Sequence, residues 1–263
     1  MASVDADAST VPPMTDERTA DRSTTDDRVL WVTGGGSGMG AAAAQVAARS
    51  GWRLVLSGRR TERLEAVAAG IRAEGGTAEV LPLDATDPEA VTAARDTLLE
   101  RHGRIDGLVL SAGLNSPRRR WDDQSMTDLR AVIDTNLTAV VQVVDAALPA
   151  LRRSGGVVVV VSSYAGWSSQ PGAGVAYSAS KTALGPVVRT LNQQEAQHGV
   201  RATHLCPGDV ATDFLEQRPS VPDAAARAVM LTPEDVGRAI GFVLCAPAHV
   251  RIDELVLSPV SQH

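Results

Sequence analysis

The chain has 263 residues, a length that fits one large domain with a substantial buried core. Its 25 basic and 31 acidic residues give a formal net charge of −6, which disfavours nucleic acid and anionic membranes as partners. The hydrophobic content of 44% is typical of a soluble protein, and no run approaches the roughly 18 apolar residues of a membrane span. Two cysteines, without CxxC or HExxH spacing, indicate a cytoplasmic protein with no metal site.

The first 28 residues differ in composition from the rest of the chain. They carry seven acidic and three basic residues, are rich in Ser, Thr, Asp and Ala, and have no apolar periodicity. They also lack the basic start and the apolar run of a secretory signal peptide. We therefore predict a disordered acidic tail over residues 1–28 and a single folded domain over residues 29–263.

Short apolar runs alternate with helical stretches along this domain. The predicted strands are residues 29–33, 53–57, 78–83, 107–111, 157–161, 201–206 and 255–257. The predicted helices are residues 38–50, 61–74, 88–102, two helices within 123–153, 175–198 and 233–245. Regular alternation of strands and helices predicts an α/β fold, a doubly wound parallel sheet of about seven strands with helices on both faces.

A glycine-rich loop separates the first predicted strand from the first predicted helix, reading TGGGSGMG over residues 33–40. Glycines here permit a tight turn and close backbone approach to a diphosphate, and the helix N-terminus adds N–H donors and positive potential. A turn that binds nothing is the alternative, but the position directly after the first strand favours binding. The candidate residues for diphosphate binding are Gly34, Gly36, Ser37, Gly38, Met39 and Gly40.

The spacing of this loop, TGxxxGxG, and a YxxxK motif at Tyr177 and Lys181 resemble those of the short-chain dehydrogenase/reductases. The resemblance extends from Val29 to roughly Leu257. It implies a single-domain Rossmann enzyme that transfers a hydride between a nicotinamide cofactor and a carbonyl compound or secondary alcohol. The stretch 247–259 is similar to members that act on 3-hydroxy acids, serine and related polar aldehydes, which favours a small polar substrate.

The residues after the second predicted strand bear on the choice of cofactor. An enzyme that selects NAD commonly has a carboxylate here, bonded to the ribose 2′-hydroxyl, but this chain has Gly58. Arg59 follows and can offer a bidentate fork to a 2′-phosphate, with Arg60 as a weaker candidate. Ser37 stands where some NADP-preferring members have a second basic residue. We therefore expect NADP(H) to be preferred and NAD(H) to be an alternative, unless both arginines are merely solvated at a helix cap.

The resemblance implies further cofactor contacts at the ends of three other strands. Asp84 with Ala85 would contact the adenine, although Asp84 is equally suited to initiating a helix. Ala112 and Gly113 allow close backbone approach, in a segment where the family usually has Asn-Asn-Ala-Gly and this chain has Leu-Ser-Ala-Gly. The nicotinamide would lie against Pro207, Gly208, Val210 and Thr212.

Tyr177 and Lys181 are four residues apart, so on a helix both side chains share one face. A free tyrosine has a pKa of about 10, and lowering it to about 7 takes about 4 kcal/mol. One unit charge about 4 Å away supplies about 4 kcal/mol at an effective dielectric constant of about 20. Lys181, the only lysine in the chain, is therefore sufficient together with an oxidised nicotinamide to activate the phenol. The resemblance makes Tyr177 the general acid or base and brings both residues into contact with the cofactor.

Two further residues complete the catalytic set that the resemblance implies. Ser163 would hydrogen-bond the substrate oxygen, although it precedes Tyr177 by 14 residues, one more than the spacing expected most often. Ser162 is the alternative, but strand alternation turns it to the opposite face. Asn136 matches the asparagine that bends its helix and anchors a water, with a simple helix-packing role as the alternative.

The substrate pocket of this fold lies at the carboxyl ends of the strands. Its candidate lining residues are Leu114, Asn115, Trp121, Trp167 and the segment 214–222. The run Arg118, Arg119 and Arg120 offers an anion site, but runs of charge are usually solvated, which favours an ordinary surface loop.

The resemblance also implies an assembly, because the helices around residues 123–153 and 175–198 are the family's usual dimerisation faces. We expect a homotetramer or homodimer that acts on a small carbonyl or alcohol substrate. The alternative is a sensor or scaffold protein that binds NADP without catalysis. Such a protein need not retain Asn136, Ser163, Tyr177 and Lys181 together, and the presence of all four favours an enzyme.

Overall fold

Seven parallel strands form one sheet in the computed structural model, which describes residues 28–262. The predicted acidic tail therefore lies outside the described residues apart from Arg28. The strands are β1 (Val29–Thr33), β2 (Arg53–Ser57), β3 (Ala78–Val80), β4 (Gly107–Leu110), β5 (Val157–Val161), β6 (Arg201–Pro207) and β7 (Glu254–Leu257). Their order is β3-β2-β1-β4-β5-β6-β7, and every neighbouring pair is parallel, which confirms the predicted doubly wound sheet.

Helices cover both faces of the sheet. They are α1 (Gly38–Arg49), α2 (Thr61–Ala73), α3 (Pro88–His102), α4 (Met126–Ile133), α5 (Ala139–Ser154), α6 (Tyr164–Trp167), α7 (Val175–Glu195), α8 (Ala224–Ala228) and α9 (Pro233–Leu244). One apolar core contains buried residues of α3, α5 and α7, and the other contains those of α1, α2 and α9. The two cores hold the sheet between them, as expected where crossover connections place helices on both sides.

The five consecutive valines of β5 illustrate why these strands are so apolar. All five are buried. Val158 and Val160 belong to the core under α5 and α7, whereas Val157, Val159 and Val161 belong to the core under α1 and α9. Since successive side chains of a strand point to opposite faces, a strand covered on both sides has no solvent-facing position, which favours apolar residues throughout.

Helix α3 begins where the sequence indicates. The Asp87 side chain accepts hydrogen bonds from the backbone N–H groups of Glu89 (2.9 Å) and Ala90 (3.1 Å), and Pro88 occupies the first helical position. The helix ends at Gly103, whose φ of 71° lies in the left-handed region. Both ends are thus fixed by local chemistry.

The predicted strand 78–83 is three residues too long, because β3 ends at Val80. Pro82 has no N–H group to donate to a neighbouring strand and so interrupts the regular ladder. Leu81 and Leu83 nevertheless donate to the carbonyls of Leu56 (2.9 Å) and Gly58 (3.0 Å). These bonds guide the chain along β2 and bring the following residue, Asp84, to the carboxyl edge of the sheet.

The two helices predicted within residues 123–153 are joined without a break. A π-helical segment, Asp134–Thr138, links α4 to α5. The continuous stretch Met126–Ser154 is long and apolar enough, by length and composition alone, to cross a membrane. Its apolar side chains Val143, Ala147 and Leu151 are buried against the sheet, which accounts for this composition.

Candidate active site

A cavity of about 1020 Å³ lies at the carboxyl ends of the strands. The sheet order reverses between β1 and β4, so the loops after these strands diverge and leave a crevice between them. The cavity extends from Arg59 and Asp84, past the glycine loop, to Tyr177 and Arg218. The sequence motifs that are far apart in the chain therefore meet in one crevice.

The glycine loop is packed so tightly that larger residues do not fit. Gly34 has a φ of 69°, and a Cβ there would lie 2.6 Å from the backbone nitrogen of Ala112. A Cβ on Gly40 would overlap the carbonyl oxygen of Gly34, and one on Gly38 (φ 53°) would approach Thr212 to 3.3 Å. The absence of side chains lets the loop after β1 contact the loops after β4 and β6.

The N-terminus of α1 faces this crevice. Ser37 is its N-cap, yet the Ser37 side chain makes no capping hydrogen bond, and the first turn carries no acidic residue. The backbone N–H groups and the positive end of the helix dipole are thus directed at the cavity, as in diphosphate sites. The loop therefore fits the diphosphate of a dinucleotide.

Arg59, Arg60 and Asp84 lie together at one end of the cavity. Both arginines are exposed, and the Arg60 guanidinium donates to Ser37 Oγ at 3.4 Å. Asp84 Oδ1 accepts hydrogen bonds from the N–H (3.0 Å) and hydroxyl (2.8 Å) of Thr86. These bonds, with a smaller contribution from Arg59, hold the pKa of Asp84 below its ordinary value, so the carboxylate stays ionised.

Almost all of the predicted cofactor residues line the cavity. Besides those already described, they include Gly36, Met39, Ala85, Ala112, Gly113, Pro207, Gly208, Val210 and Thr212. Gly40 does not line it, because this glycine is buried against Gly34 behind the cavity wall. Its contribution is to the packing of the loop rather than to a contact with the ligand.

Tyr177 and Lys181 share one face of α7, as their spacing predicts. The Lys181 ammonium lies 5.9 Å from the centre of the Tyr177 ring and donates to the carbonyl of Val161 at 2.9 Å. Lys181 is only 4% exposed, and its burial lowers its pKa to about 8. The only lysine of the chain is thus held under the Tyr177 ring at a cost in solvation.

The pKa of Tyr177 lies above its ordinary value, whereas the sequence analysis considers how Lys181 and an oxidised nicotinamide would lower it. Burial raises it, and this effect exceeds the lowering by a hydrogen bond to Ser163 and by the positive charges of Arg218 and Arg119. Asp209 raises it slightly further. Tyr177 therefore keeps its proton at neutral pH, as required of a general acid that protonates a carbonyl oxygen.

The hydrogen bonds of the two serines after β5 distinguish their roles. Ser163 caps the short helix α6, accepting from the Ala165 N–H at 3.2 Å, and its hydroxyl bonds to Tyr177. Ser162 is buried, and its hydroxyl donates to the Lys181 carbonyl at 2.9 Å. This geometry favours Ser163 as the group beside the reacting oxygen. Helix α6 and a 3₁₀ turn, Pro171–Ala173, lie between Ser163 and Tyr177.

Asn136 lies in the π-helical segment and is completely buried. Its Oδ1 accepts from the Leu114 N–H at 2.7 Å, and its Nδ2 donates to the Leu114 carbonyl (2.8 Å) and to Ser180 Oγ (3.1 Å). The side-chain amide thus ties the loop after β4 to α7. A Cβ on Gly113 would lie 3.7 Å from this Oδ1, so Asn136 braces the cavity wall without lining it.

The far end of the cavity contains polar and charged residues, among them members of the predicted lining segment 214–222 and one arginine of the run 118–120. Arg119, Arg218, Asp209 and Gln217 line it, and Phe214 packs 6.0 Å from Tyr177, ring centre to ring centre. Of the other predicted lining residues, Asn115 is in the wall. Leu114, Trp121 and Trp167 are not, and both tryptophans are exposed.

One cluster of metal-ligating residue types occurs in the described part of the chain, on the neighbouring strands β6 and β7. Potential ligand atoms of His204, Cys206 and Glu254 lie within 4.8 Å of one another. Burial raises the pKa of Cys206 to about 12, with a smaller contribution from Glu254. The thiol is therefore protonated at neutral pH in the metal-free protein.

Residues 28–222 match the family described as short chain dehydrogenase. The chain is 35% identical over 240 residues to a sulfoacetaldehyde reductase of Chromohalobacter salexigens, covering 89% of this chain and 94% of the relative. It is 32% identical over 238 residues to a serine 3-dehydrogenase of Agrobacterium fabrum, with coverages of 89% and 94%. An alcohol dehydrogenase of the archaeon Thermococcus sibiricus, solved with 5-hydroxy-NADP, superposes with a TM-score of 0.81 at 32% identity, covering 90% of this chain and 98% of that one.

Proposed function

Since the chain belongs to the short-chain dehydrogenase family and is an NAD(P)-dependent oxidoreductase, we propose that it interconverts a small polar carbonyl compound and its alcohol with NADP(H) as the preferred cofactor. The observation that carries this proposal is the meeting of Ser163, Tyr177 and Lys181 at one wall of a cavity that also contains the glycine loop and Arg59. Two unpaired cysteines, one buried and one exposed, agree with our proposal that the protein works in the cytoplasm.

The proposed chemistry assigns one task to each of these side chains. The nicotinamide, when bound, supplies the hydride for the carbonyl carbon. Tyr177 donates its phenolic proton to the carbonyl oxygen, and the Ser163 hydroxyl donates a hydrogen bond that polarises the same oxygen. Lys181 places positive charge beneath the phenol and stabilises the phenolate that remains. In alcohol oxidation the same groups act in reverse, with Tyr177 accepting the proton.

The residues around Arg59 support a preference for NADP(H). No carboxylate follows β2 at the position of Gly58, so a 2′-phosphate meets no repulsion there. Arg59 and Arg60 both line this end of the cavity, and Arg60 already bonds to Ser37. The exposed Arg59 can turn its planar fork toward a phosphate.

We expect Arg59→Ala to weaken NADPH binding by about 10- to 100-fold, since a hydrogen-bonded charge pair is lost, and to leave NADH binding nearly unchanged. Calorimetric titration of both reduced cofactors measures the two affinities directly. Arg49→Ala is the matched control, because Arg49 pairs with Glu74 on the exposed surface at 3.1 Å. Equal losses for NADPH and NADH would contradict a 2′-phosphate contact.

We further propose that the protein forms a homodimer or homotetramer through α5 and α7. Apolar side chains are exposed on both helices, Val141 at 44% and Val175 at 39%. Light scattering coupled to gel filtration is expected to give two or four times the chain mass of 27.5 kDa. Val141→Glu should shift the mass toward one chain, and a wild-type mass of one chain would refute the assembly.

A further inference from the structure

The Arg119 side chain is held in place by two hydrogen bonds and by close packing against a glycine. Its guanidinium donates from Nη2 to the Gln217 carbonyl at 2.8 Å and from Nη1 to the Ala173 carbonyl at 3.4 Å. Gly174 has a φ of 90°, and a Cβ there would lie 2.6 Å from the Arg119 Cβ. The arginine is therefore fixed between the N-terminal end of α7 and the turn after β6, with its side chain in the cavity wall.

The charge of Arg119 is not balanced by the protein. Among residues 28–262 no carboxylate pairs with it, and its Nε is buried without a hydrogen-bond partner. Two other arginines, Arg118 and Arg218, do have counter-charges. Arg118 pairs with Asp128 at 2.8 Å, and Arg218 pairs with Asp209. Burial, and then the charge of Arg218, lower the pKa of Arg119. A partly buried cation without a counter-charge is costly unless a ligand supplies the anion.

The position of Arg119 relative to Tyr177 and to the cofactor-binding residues indicates which molecule carries this anion. Arg119 and Tyr177 line the same cavity, and Gly174, which packs against the Arg119 side chain, directly precedes the helix that carries Tyr177. The cofactor phosphates are accommodated elsewhere, at the glycine loop and beside Arg59. The anion that reaches Arg119 therefore belongs to the molecule that reacts at Tyr177.

We propose that the substrate carries a carboxylate or sulfonate group and that Arg119 binds it, which makes Arg119 a residue that determines substrate specificity. This inference rests on the proposed function. The planar fork of arginine matches two oxygens of either group, and the second N–H groups of Nη1 and Nη2, which no protein acceptor occupies, provide the donors. Arg218 is neutralised by Asp209, so the oxyanion is assigned to Arg119.

The test compares NADPH-dependent reduction of three small aldehydes. Succinic semialdehyde carries a carboxylate, sulfoacetaldehyde carries a sulfonate, and butanal is neutral. For the wild-type protein we expect kcat/KM for at least one anionic aldehyde to exceed that for butanal by about 10-fold or more. The carboxylate and sulfonate arms distinguish which oxyanion is preferred.

Two Arg119 variants separate charge from structure. Arg119→Gln removes the charge but keeps an N–H donor for the Gln217 carbonyl, and we expect kcat/KM for the anionic aldehydes to fall about 10- to 100-fold more than that for butanal. Arg119→Lys should retain part of the anion preference. Arg118→Gln is the matched control, because Arg118 is exposed and paired with Asp128, and it should alter none of the three values.

A second measurement does not depend on turnover of an anionic aldehyde. Ethanesulfonate and propionate should inhibit butanal reduction competitively in the wild-type protein and lose this effect in Arg119→Gln. Equal losses for anionic and neutral aldehydes, or a wild-type preference for butanal, would overturn the inference and leave the proposed function intact. Binding of NADPH without reduction of any of the three aldehydes would instead overturn the proposed function.

Discussion

Tyr177→Phe is expected to reduce turnover at least about 100-fold while leaving the affinity for NADPH nearly unchanged. The substitution removes only the phenolic oxygen, the one group in the site that is both hydrogen-bonded to Ser163 and placed to exchange a proton with the substrate oxygen. The ring remains, so its packing against Phe214 is retained. The loss should therefore appear in kcat and not in cofactor binding.

Single-turnover reduction monitored by NADPH absorbance, with calorimetric titration of NADPH, separates these two quantities. Tyr164→Phe is the matched control, because Tyr164 is the other tyrosine of the chain and packs edge-on against Trp167 at 5.2 Å. It should retain most of the wild-type turnover. A Tyr177→Phe protein that works within about 10-fold of the wild-type rate would rule out Tyr177 as the general acid.

Local patterns carry most of the information that positions the site. Five consecutive valines, as in β5, are typical of a strand covered on both faces. Asp87 followed by proline is typical of the start of a helix. The glycine loop also carries its information locally. Its close approaches to Ala112 and Thr212 require residues without side chains. The strands, the glycine loop and the YxxxK motif were predictable for this reason.

The parts that sequence reasoning missed depend on contacts between distant segments. Arg118 and Arg119 are identical in type and adjacent, yet only Arg119 enters the cavity wall, because Gln217 and Ala173 receive its hydrogen bonds. Nothing in a run of three arginines encodes which one that will be. The pKa of Tyr177 is a second example, since its direction is set by burial beneath loops that no spacing rule describes.

The second large effect concerns Lys181. We expect Lys181→Met to lower turnover by about 100-fold, because the phenolate that forms on Tyr177 loses the positive charge beneath it. Methionine has a similar length and no charge, so the core position remains filled. Measured kcat with the same aldehyde and saturating NADPH tests this loss.

The same substitution has a stability signature that a solvent-exposed lysine would lack. The pKa of Lys181 is about 8 in the folded protein against an ordinary value of 10.5. Between these values the unfolded chain holds a proton that the folded protein has released, so the free energy of unfolding rises with pH. The rise attributable to Lys181 is roughly 3 kcal/mol at most, since one pKa unit corresponds to about 1.36 kcal/mol.

Urea unfolding of both proteins at several pH values from about 7.5 to 10 measures this rise as a difference. Lys181 is the only lysine in the chain, so no other ammonium side chain titrates in the interval, and the exposed Cys245 contributes equally to both proteins. The wild-type unfolding free energy should increase with pH relative to that of Lys181→Met. Parallel pH dependences would mean that the ammonium is not desolvated in the fold. That result would contradict the proposal that Lys181 is a buried ammonium that stabilises the Tyr177 phenolate.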